Sequence, residues 1–337
     1  MKAMVVPRPM EMEMVDRDIP EPKAGEVLVR IRAVGICGSD VHVFGGHHPV
    51  VTFPRILGHE MAGEIVQVGP EVKERKSGDR VVVEPATAFD QCYSCRIDFF
   101  HNCCNLEFKG VHVDGGYQEY LSVSEQNVYP VPSDMPYTMA ALAEPLGIGL
   151  ESAKIAQLIP GDTVAILGAG PIGLACLLAV KKNNHPVIIT DIQDSCLERA
   201  EAIGVDRAVN VKQSDMIAAV MDFTDQAGAN VVMECAGVAA NFKPAMEVAS
   251  VCGRVVVVGL IFDEVSYVPY IHIQKHLHLL GTRNSNMIPE AIELLKERGE
   301  EIEKVFITHQ LDLEEAKKGL HMVNDPKIDT CKIMLNL

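Results

Sequence analysis

The sequence predicts an α/β fold with two domains, a mostly-β domain and a doubly wound parallel-sheet domain. Its 337 residues are too many for one ordinary hydrophobic core. Short β-branched runs separated by Gly and Pro fill the first 150 residues, whereas short all-apolar runs alternate with helical stretches from about Gly161. We therefore expect one domain over 1–153 and 283–337, and a second over 154–282.

The first domain should be built mainly from strands. Its β-branched runs are Val27–Ile31, Gly63–Val68, Arg80–Val83 and Tyr117–Val123. Helical periodicity is scarce between them. The segments that join these strands are therefore predicted to be long loops, which often carry function.

The second domain should alternate strands with helices. Its all-apolar runs predict strands at Val164–Leu167, Val187–Thr190, Val231–Glu234 and Val255–Val258. A helix through Lys182 and another over Cys196–Ile203 follow the first two strands. Strands that are apolar throughout are buried on both faces, which indicates a parallel sheet covered by helices. Three further elements should return to the first domain: the helices Pro289–Arg298 and Leu313–Val323 and the strand Lys332–Leu335.

The charge balance argues against nucleic acid and membrane partners. The chain carries 46 acidic and 30 basic side chains, a formal net charge of −16, and such a surface repels phosphate backbones and anionic lipid. The start of the sequence lacks a long apolar run followed by a small-residue cleavage site, so it predicts a first strand and not a signal peptide. Ten cysteines are too few for a disulfide scaffold in a chain of this length, and a reducing cytoplasm fits them best.

A glycine-rich turn follows the first strand of the second domain and opens a helix, with the sequence Gly168-Ala169-Gly170-Pro171-Ile172-Gly173. In a dinucleotide-binding turn, the first glycine permits the tight turn, the second lets the backbone approach the pyrophosphate, and the third allows close packing of helix on strand. Asp191 ends the next strand, where a carboxylate would bind a ribose 2′-hydroxyl and repel a 2′-phosphate. The pattern predicts NAD as the cofactor. The alternative is a glycine turn that binds no nucleotide.

Sulfur, nitrogen and oxygen ligands for one zinc ion come from two short segments. Cys37 begins the first, Cys37-Gly38-Ser39-Asp40-Val41-His42, and His59 and Glu60 follow about twenty residues later. A catalytic zinc site uses about three protein ligands and keeps one position open. The alternative, in which these are ordinary core residues, does not account for their joint appearance.

Four polar residues complete the predicted site. Asp40 can accept the second ring proton of His59 and so fix its tautomer. Ser39 and His42 offer a hydroxyl and an imidazole beside the thiolate that can carry a proton. Glu144 is a further carboxylate, either a direct metal ligand or one that reaches the metal through water.

The sequence resembles the zinc-dependent medium-chain alcohol dehydrogenases, and among them the sorbitol dehydrogenase and sugar-acid dehydrogenase branch. The resemblance covers essentially the whole chain, in order. Besides the nucleotide turn, it is carried by Gly35-Ile36-Cys37-Gly38-Ser39-Asp40-Val41-His42, Gly58-His59-Glu60, Gly78-Asp79-Arg80-Val81, Asp114-Gly115-Gly116-Tyr117-Gln118-Glu119-Tyr120 and Glu144-Pro145-Leu146.

The resemblance implies a GroES-like catalytic domain, a Rossmann NAD-binding domain, and a homodimer or homotetramer. It implies that Ser39 receives the proton of the alcohol and that His42 passes it outward through the cofactor ribose. The chemistry would be Lewis-acid polarisation of a hydroxyl group combined with hydride transfer to the nicotinamide.

The sequence departs from the family at a second, structural zinc site. Many relatives hold that zinc with four cysteines, of which three have counterparts here, Cys92, Cys95 and Cys103. Phe89 occupies the first place, although structural zinc normally needs four protein ligands. Either the site is vestigial, or a further residue completes the set, the candidates being Asp90, His101 and Cys104. Another departure is Glu151, which replaces a histidine and either pairs with a nearby base or is an acid on a helix surface.

Two residues are candidates for substrate contact. In polyol dehydrogenases an arginine followed by an asparagine and a proline faces the substrate, and Arg283 keeps that spacing with Asn286 and Pro289. A guanidinium can hold a carboxylate or bond two hydroxyls; the alternative is a surface salt bridge. His112 lies in a stretch that resembles the branch oxidising L-galactonate or L-gulonate, and it is either a pocket residue or a structural histidine in a turn.

The expected function is oxidation of a secondary hydroxyl of a sugar acid or polyol to a ketone, with NAD as acceptor. L-Threonine and simple secondary alcohols are alternative substrates. Two other classes are a zinc-free quinone or enone reductase of the same fold and a protein of this fold without activity. The intact Cys37, His59 and Glu60 argue against the zinc-free reductase.

Overall fold

Two segments that are distant in the sequence, Met1–Glu144 and Ile288–Leu337, fold together as a first unit, and Pro145–Met287 forms a second. The structure is a computed structural model that describes residues 1–89 and 92–337. The predicted boundaries lay at 153/154 and 282/283, whereas the two units divide at 144/145 and 287/288.

Short strands dominate the first segment of the first unit. They are β1 (Lys2–Val6), β2 (Glu13–Asp16), β3 (Glu26–Ile36), β4 (Arg55–Ile56), β5 (Glu60–Val68), β6 (Arg80–Val83), β7 (Ala86–Thr87), β8 (Glu107–Phe108), β9 (Tyr120–Ser124) and β10 (Val128–Pro130). The helices described in the same segment are α1 (Gly38–Phe44), α2 (Tyr93–Arg96) and α3 (Tyr137–Ala141). The mostly-β prediction is confirmed for this segment.

Strands and helices alternate from residue 143 onward. They are α4 (Ala143–Ile155), β11 (Val164–Leu167), α5 (Pro171–Lys181), β12 (Val187–Asp191), α6 (Asp194–Ala202), β13 (Arg207–Asn210), α7 (Met216–Phe223), β14 (Ala229–Glu234), α8 (Ala239–Val248), β15 (Ala249–Val257), α9 (Tyr270–Lys275) and β16 (His278–Gly281). The final segment contains α10 (Ile288–Phe306), β17 (Ile307–Asp312), α11 (Ala316–Asn324) and β18 (Lys332–Asn336).

The last strand joins the main sheet of the first unit. That sheet has the order β10-β6-β5-β3-β18-β17, with β9 also paired to β3. Gly35 on β3 lies opposite Glu60 on β5 and opposite Met334 on β18. This register brings the end of the chain beside the segment that carries His59 and Glu60.

The second unit contains a six-stranded sheet with the order β13-β12-β11-β14-β15-β16, in which every pair is parallel. The strand order reverses between β11 and β14, which is where doubly wound sheets bind their ligands. The glycine turn leaves β11 at this position, and Asp191 ends the neighbouring strand β12. The predicted parallel sheet is confirmed.

Two chain-wide observations bear on the expectations from composition. Among the described helices, none combines the length and the apolar character needed to cross a bilayer. All ten cysteines are free thiols. Disulfides therefore make no contribution to this fold.

Candidate metal centre and nucleotide site

Three predicted ligands meet at one point of the first unit. The Sγ of Cys37, a ring nitrogen of His59 and a carboxylate oxygen of Glu60 all lie within 4.8 Å of one another. Atoms that share a tetrahedral zinc lie roughly 3.5 Å apart, given metal–ligand bonds of about 2.0–2.3 Å. Modest side-chain rotation would bring all three onto one ion. The Oε2 atom of Glu60 is buried and has no hydrogen-bond partner among the described residues, so the site fits a zinc ion.

Lys332 also lies at this site, although the sequence motifs do not predict it. Its ammonium donates to Oε1 of Glu60 at 2.6 Å, and the two side chains are 2% and 0% exposed. Burial lowers the pKa of Lys332, but the charges of Glu60 and Cys37 outweigh burial and raise that pKa above its ordinary value. The only sequence signal is a lysine that begins an otherwise apolar strand.

The position of the Glu60 carboxylate depends on a glycine. A Cβ atom at Gly35 would stand 2.0 Å from Oε2 of Glu60, which is far inside van der Waals contact. The absence of a side chain at Gly35 lets Glu60 lie across β3 and reach Lys332 on β18. Glu60 can therefore give one oxygen to Lys332 while the other remains free.

Glu144 is buried beside this group but is outside the three-ligand cluster. Burial raises its pKa to about 7, and Glu60 adds to that effect while His59 and Lys332 oppose it. Its role as a direct or water-mediated ligand stays a prediction.

The proposed proton carriers lie along α1 and its N-terminus. The Oγ of Ser39 is 3.5 Å from Nε2 of His59. His42 lines a cavity of about 500 Å³ together with His47 and His321. Burial lowers the pKa of His42, and the nearby His47 adds to the shift, so the His42 ring is neutral at pH 7 and able to accept a proton.

His112 is linked to the metal centre through Phe108. The backbone N–H of Phe108 donates to Nδ1 of His112 at 3.1 Å. The Phe108 ring in turn lies 5.4 Å from the His59 ring, measured between centroids. The structural-histidine alternative thus accounts for one ring nitrogen of His112, and contact with substrate stays a prediction.

The glycine turn of the second unit has the geometry that a dinucleotide needs. Gly168 has a φ of +102°, and a Cβ at Gly173 would stand 1.9 Å from the carbonyl oxygen of Gly168. Gly170 caps α5, and a Cβ there would meet nothing within 4 Å. The N-terminus of this 11-residue helix is therefore open to an anionic group.

Asp191 holds the same turn from the neighbouring strand. Its Oδ2 accepts the backbone N–H of Ala169 at 2.7 Å. Its Oδ1 accepts the N–H groups of Ile192 and Gln193 at 2.7 and 2.9 Å. The carboxylate is thereby fixed at the carboxyl end of β12, where a ribose hydroxyl would meet it.

Two predicted residues of the second unit have different surroundings. Arg283 is exposed just beyond β16, and its contact with substrate stays a prediction. Glu151 is fully buried on α4, with Lys154 Nζ 3.9 Å from its Oε2. The interpretation of Glu151 as a surface acid is therefore wrong, because Glu151 faces inward and has a basic partner.

A second thiol cluster lies in the first unit. Cys92 Sγ is 3.5 Å from Cys95 Sγ and 3.9 Å from Cys103 Sγ, and Cys104 joins Cys92 and Cys103 in a group whose sulfurs all lie within 4.8 Å. The Ser94 hydroxyl and backbone N–H groups lower the pKa of Cys92 to about 5. Phe89 is 49% exposed, and Asp90 lies outside the described residues.

Family models match both units of the chain. The alcohol dehydrogenase GroES-like domain matches residues 23–133, and the zinc-binding dehydrogenase domain matches residues 171–297. Sorbitol dehydrogenase of Bacillus subtilis strain 168 is 33% identical over 99% of this chain and 97% of its own length. The chain belongs to the zinc-dependent medium-chain alcohol dehydrogenases.

Other relatives of this dehydrogenase differ in their substrates. L-Threonine 3-dehydrogenase of Pyrococcus abyssi strain GE5 is 37% identical over 75% of this chain and 74% of its own. L-Galactonate-5-dehydrogenase of Escherichia coli K12 is 33% identical over 85% of this chain and 84% of its own length.

Among the solved structures of similar dehydrogenases, one carries NADH and another carries NADP. A short chain alcohol dehydrogenase (rspB) from Escherichia coli CFT073, complexed with NADH, has a TM-score of 0.92 and 31% identity, covering 100% of this chain and 99% of its own. A putative zinc-binding dehydrogenase from Sinorhizobium meliloti 1021, bound to NADP, has a TM-score of 0.93 and 29% identity with the same coverage. Both of these similar proteins thus bind a nicotinamide cofactor.

Replacing Gly35 by alanine should weaken the metal centre of the dehydrogenase. The new methyl group displaces the Glu60 carboxylate from Lys332, and overpacking of this kind costs about 1–3 kcal/mol of stability. We expect faster loss of zinc to a chelator and a lower urea midpoint. Gly38→Ala is the matched control, because a Cβ at Gly38 would meet nothing within 4 Å. Equal zinc retention in the two variants would contradict the account of Gly35.

Proposed function

We propose that this dehydrogenase oxidises a secondary hydroxyl of a sugar acid or polyol to the ketone, with NAD as hydride acceptor and one zinc ion at Cys37, His59 and Glu60. The observation that carries the proposal is the meeting of these three ligand types in the first unit, with the Ser39 hydroxyl 3.5 Å from His59. Such a ligand set leaves a coordination position for the substrate.

The protein and its cofactors divide the chemistry. When bound, zinc supplies Lewis acidity to the substrate hydroxyl and the nicotinamide supplies the hydride acceptor. Cys37, His59 and Glu60 hold the ion, and Lys332 balances part of their negative charge. Ser39 stands beside His59, where its hydroxyl can accept the proton that the substrate loses.

His42 would complete the proton path. It follows Ser39 by three positions, so both lie on the same side of α1. Its ring is neutral at pH 7 and opens to the cavity shared with His47 and His321. A proton that reaches His42 can leave from that cavity to water.

Substrate oxidation is tested directly with the purified enzyme and NAD, followed at the nicotinamide absorbance. The panel comprises L-galactonate, L-gulonate, sorbitol, L-threonine and a simple secondary alcohol. We expect turnover of a sugar acid or polyol, and a loss of at least about 100-fold in Cys37→Ser, which corresponds to roughly 2.7 kcal/mol of lost transition-state stabilisation. Cys252→Ser, an exposed cysteine of the second unit, is the control. Unchanged turnover after complete zinc removal would refute the proposal.

L-Threonine is the second candidate substrate because of the 37% identity to an L-threonine 3-dehydrogenase. The guanidinium of Arg283 would favour a substrate with a carboxylate or several hydroxyls. L-Threonine has a carboxylate, whereas sugar acids and polyols have several hydroxyls, so Arg283 does not separate the candidates. The same panel separates them. We favour the sugar acid or polyol because the stretch around His112 resembles the branch that oxidises L-galactonate or L-gulonate. His112 is also bonded to Phe108, whose ring contacts that of His59.

NAD is the proposed cofactor because two carboxylates, Asp191 and Asp194, stand at the end of β12 and the start of α6. A 2′-phosphate at the ribose would meet their negative charge. Asp191→Asn removes one charge but keeps an oxygen for the Ala169 N–H.

We expect Asp191→Asn to raise the ratio of kcat/KM for NADP over NAD by about 10-fold to 100-fold, equivalent to roughly 1.4–2.8 kcal/mol. Asp222→Asn is the control, since it removes an exposed charge of the same unit that is paired with Arg207 and should leave the ratio unchanged. An unchanged ratio in Asp191→Asn would assign cofactor choice to other residues.

We further propose a second, structural zinc at Cys92, Cys95, Cys103 and Cys104. Four sulfurs around one zinc, at bonds of about 2.3 Å, stand roughly 3.8 Å apart, and the sulfurs of Cys92 and its neighbours are separated by 3.5 and 3.9 Å. In this arrangement Cys104 takes the place of the ligand that Phe89 replaces. His101 is a weaker candidate, because it is buried against Phe99 and Phe100.

Metal analysis of the purified protein should give about two zinc ions per chain, and Cys104→Ser should give about one while it keeps its activity. The loss follows because three thiolates leave a structural zinc without its fourth ligand. Cys252→Ser should retain both ions. One zinc in the unchanged protein, or two in Cys104→Ser, would each contradict this ligand set.

We propose that the enzyme is cytoplasmic, because its ten free cysteines fit a reducing compartment. We also propose that it forms a homodimer or a homotetramer. β16 stands at one end of the six-stranded order, and an edge strand can pair with a second copy. Three large apolar side chains near it are exposed: Val268, Tyr270 and Ile273.

Light scattering after gel filtration should give a multiple of the 36.8 kDa chain mass. Ile273→Asp should shift the mass toward the monomer, because it puts a charge in an apolar interface. Ile159→Asp, at another exposed isoleucine of the second unit, should not. A monomer before any substitution would refute the assembly.

A further inference from the structure

The segment Asp114-Gly115-Gly116-Tyr117 lies alongside the segment that leads into the metal ligands. Gly115 N–H donates to the carbonyl of Ile56 at 2.8 Å, and Tyr117 N–H donates to that of Leu57 at 2.9 Å. Gly116 N–H donates to the carbonyl of Gly58 at 2.8 Å. Three consecutive donors thus fix the backbone immediately before His59. None of these four residues has a role in the chemistry proposed above.

Tyr117 adds a side-chain contact to this backbone pairing. Its ring packs on Gly58, whose φ is +91° and whose missing Cβ would stand 2.4 Å from Cδ1 of the ring. Tyr117 is fully buried. Its hydroxyl donates to Oδ2 of Asp40 at 3.2 Å, across 77 positions of sequence. A buried phenol directed at a carboxylate is a specific arrangement, because phenylalanine would fill the same space without that bond.

Asp40 connects the Tyr117 hydroxyl to two metal ligands. Its Oδ2 also accepts the backbone N–H of Cys37 at 2.9 Å. Its Oδ1 accepts the N–H of Gly58 at 3.2 Å and lies 3.6 Å from Nδ1 of His59. The rotation of this one carboxylate therefore determines which ring nitrogen of His59 is directed at the ion.

We propose that Tyr117 is a positioning residue for the metal centre, whose hydroxyl holds the Asp40 carboxylate in the rotation that presents His59 to zinc. The inference rests on the zinc site of the proposed function but on no choice of substrate. Without the hydroxyl, Asp40 keeps its two backbone donors, Cys37 and Gly58, and can rotate about them. His59 then loses its fixed orientation.

The test compares Tyr117→Phe with the unchanged holoenzyme in the rate of zinc release to an excess of chelator. Loss of an outer partner of a metal ligand typically weakens metal binding 10-fold to 100-fold, so we expect release at least about 10-fold faster. The Co²⁺-substituted enzyme should show a shifted visible spectrum. Tyr129→Phe, which removes a half-buried hydroxyl on β10, should change neither.

A double-mutant cycle separates positioning from plain packing. If the Tyr117 hydroxyl acts through Asp40, then Tyr117→Phe should have no further effect on zinc release in an Asp40→Asn background, because coupled residues are not additive. An additive effect would assign Tyr117 a structural role only. An unchanged rate of zinc release in Tyr117→Phe would show that the hydroxyl does not affect zinc binding. Either result overturns the inference. Absence of catalytic zinc from the unchanged protein would instead refute the proposed function itself.

Discussion

The buried ion pair between Lys332 and Glu60 is the interaction on which the metal centre depends. Cys37 and three acidic residues, Asp40, Glu60 and Glu144, lie close together, and the three acids are buried. Such a group of like charges is unfavourable without cations, because burial removes the water that would otherwise stabilise them. Lys332 supplies one positive charge at 2.6 Å, and a zinc ion bound by Cys37, His59 and Glu60 would supply two more. The strand β18 thus contributes a residue to the candidate metal centre as well as to the sheet.

The same region keeps two buried carboxyl groups in different states. Burial opposes ionisation of Asp40, but His59 and the N–H groups of Cys37 and Gly58 outweigh it and lower the pKa of Asp40. No backbone N–H group of the described residues donates to Glu144, and burial raises its pKa to about 7. Asp40 is suited to a fixed charge that orients a ligand, whereas Glu144 can change its protonation near neutral pH.

The second thiol cluster differs in its sequence order from the four-cysteine motif of many relatives. Phe89 stands at the first place of that motif, whereas Cys104 directly follows Cys103 in the chain. Zinc requires four suitable donors at the right separations and does not require a fixed sequence order. A pattern that counts only matched positions therefore finds three ligands among Phe89, Cys92, Cys95 and Cys103, although the sulfur of Cys104 also lies within 4.8 Å of those of Cys92 and Cys103.

Local spacing determined what the sequence could predict by itself. Cys37, His59, Glu60, the glycine turn and Asp191 lie in short motifs whose geometry follows from one turn or one strand end, and the alternation of apolar strands with helices fixed the parallel sheet. Contacts between distant positions were decided only by the tertiary structure. Lys332 meets Glu60 across 272 positions and Tyr117 meets Asp40 across 77, and the need for glycine at position 35 arises from the neighbouring strand. Glu151 is buried for the same reason, since a helix face becomes interior only when something packs against it.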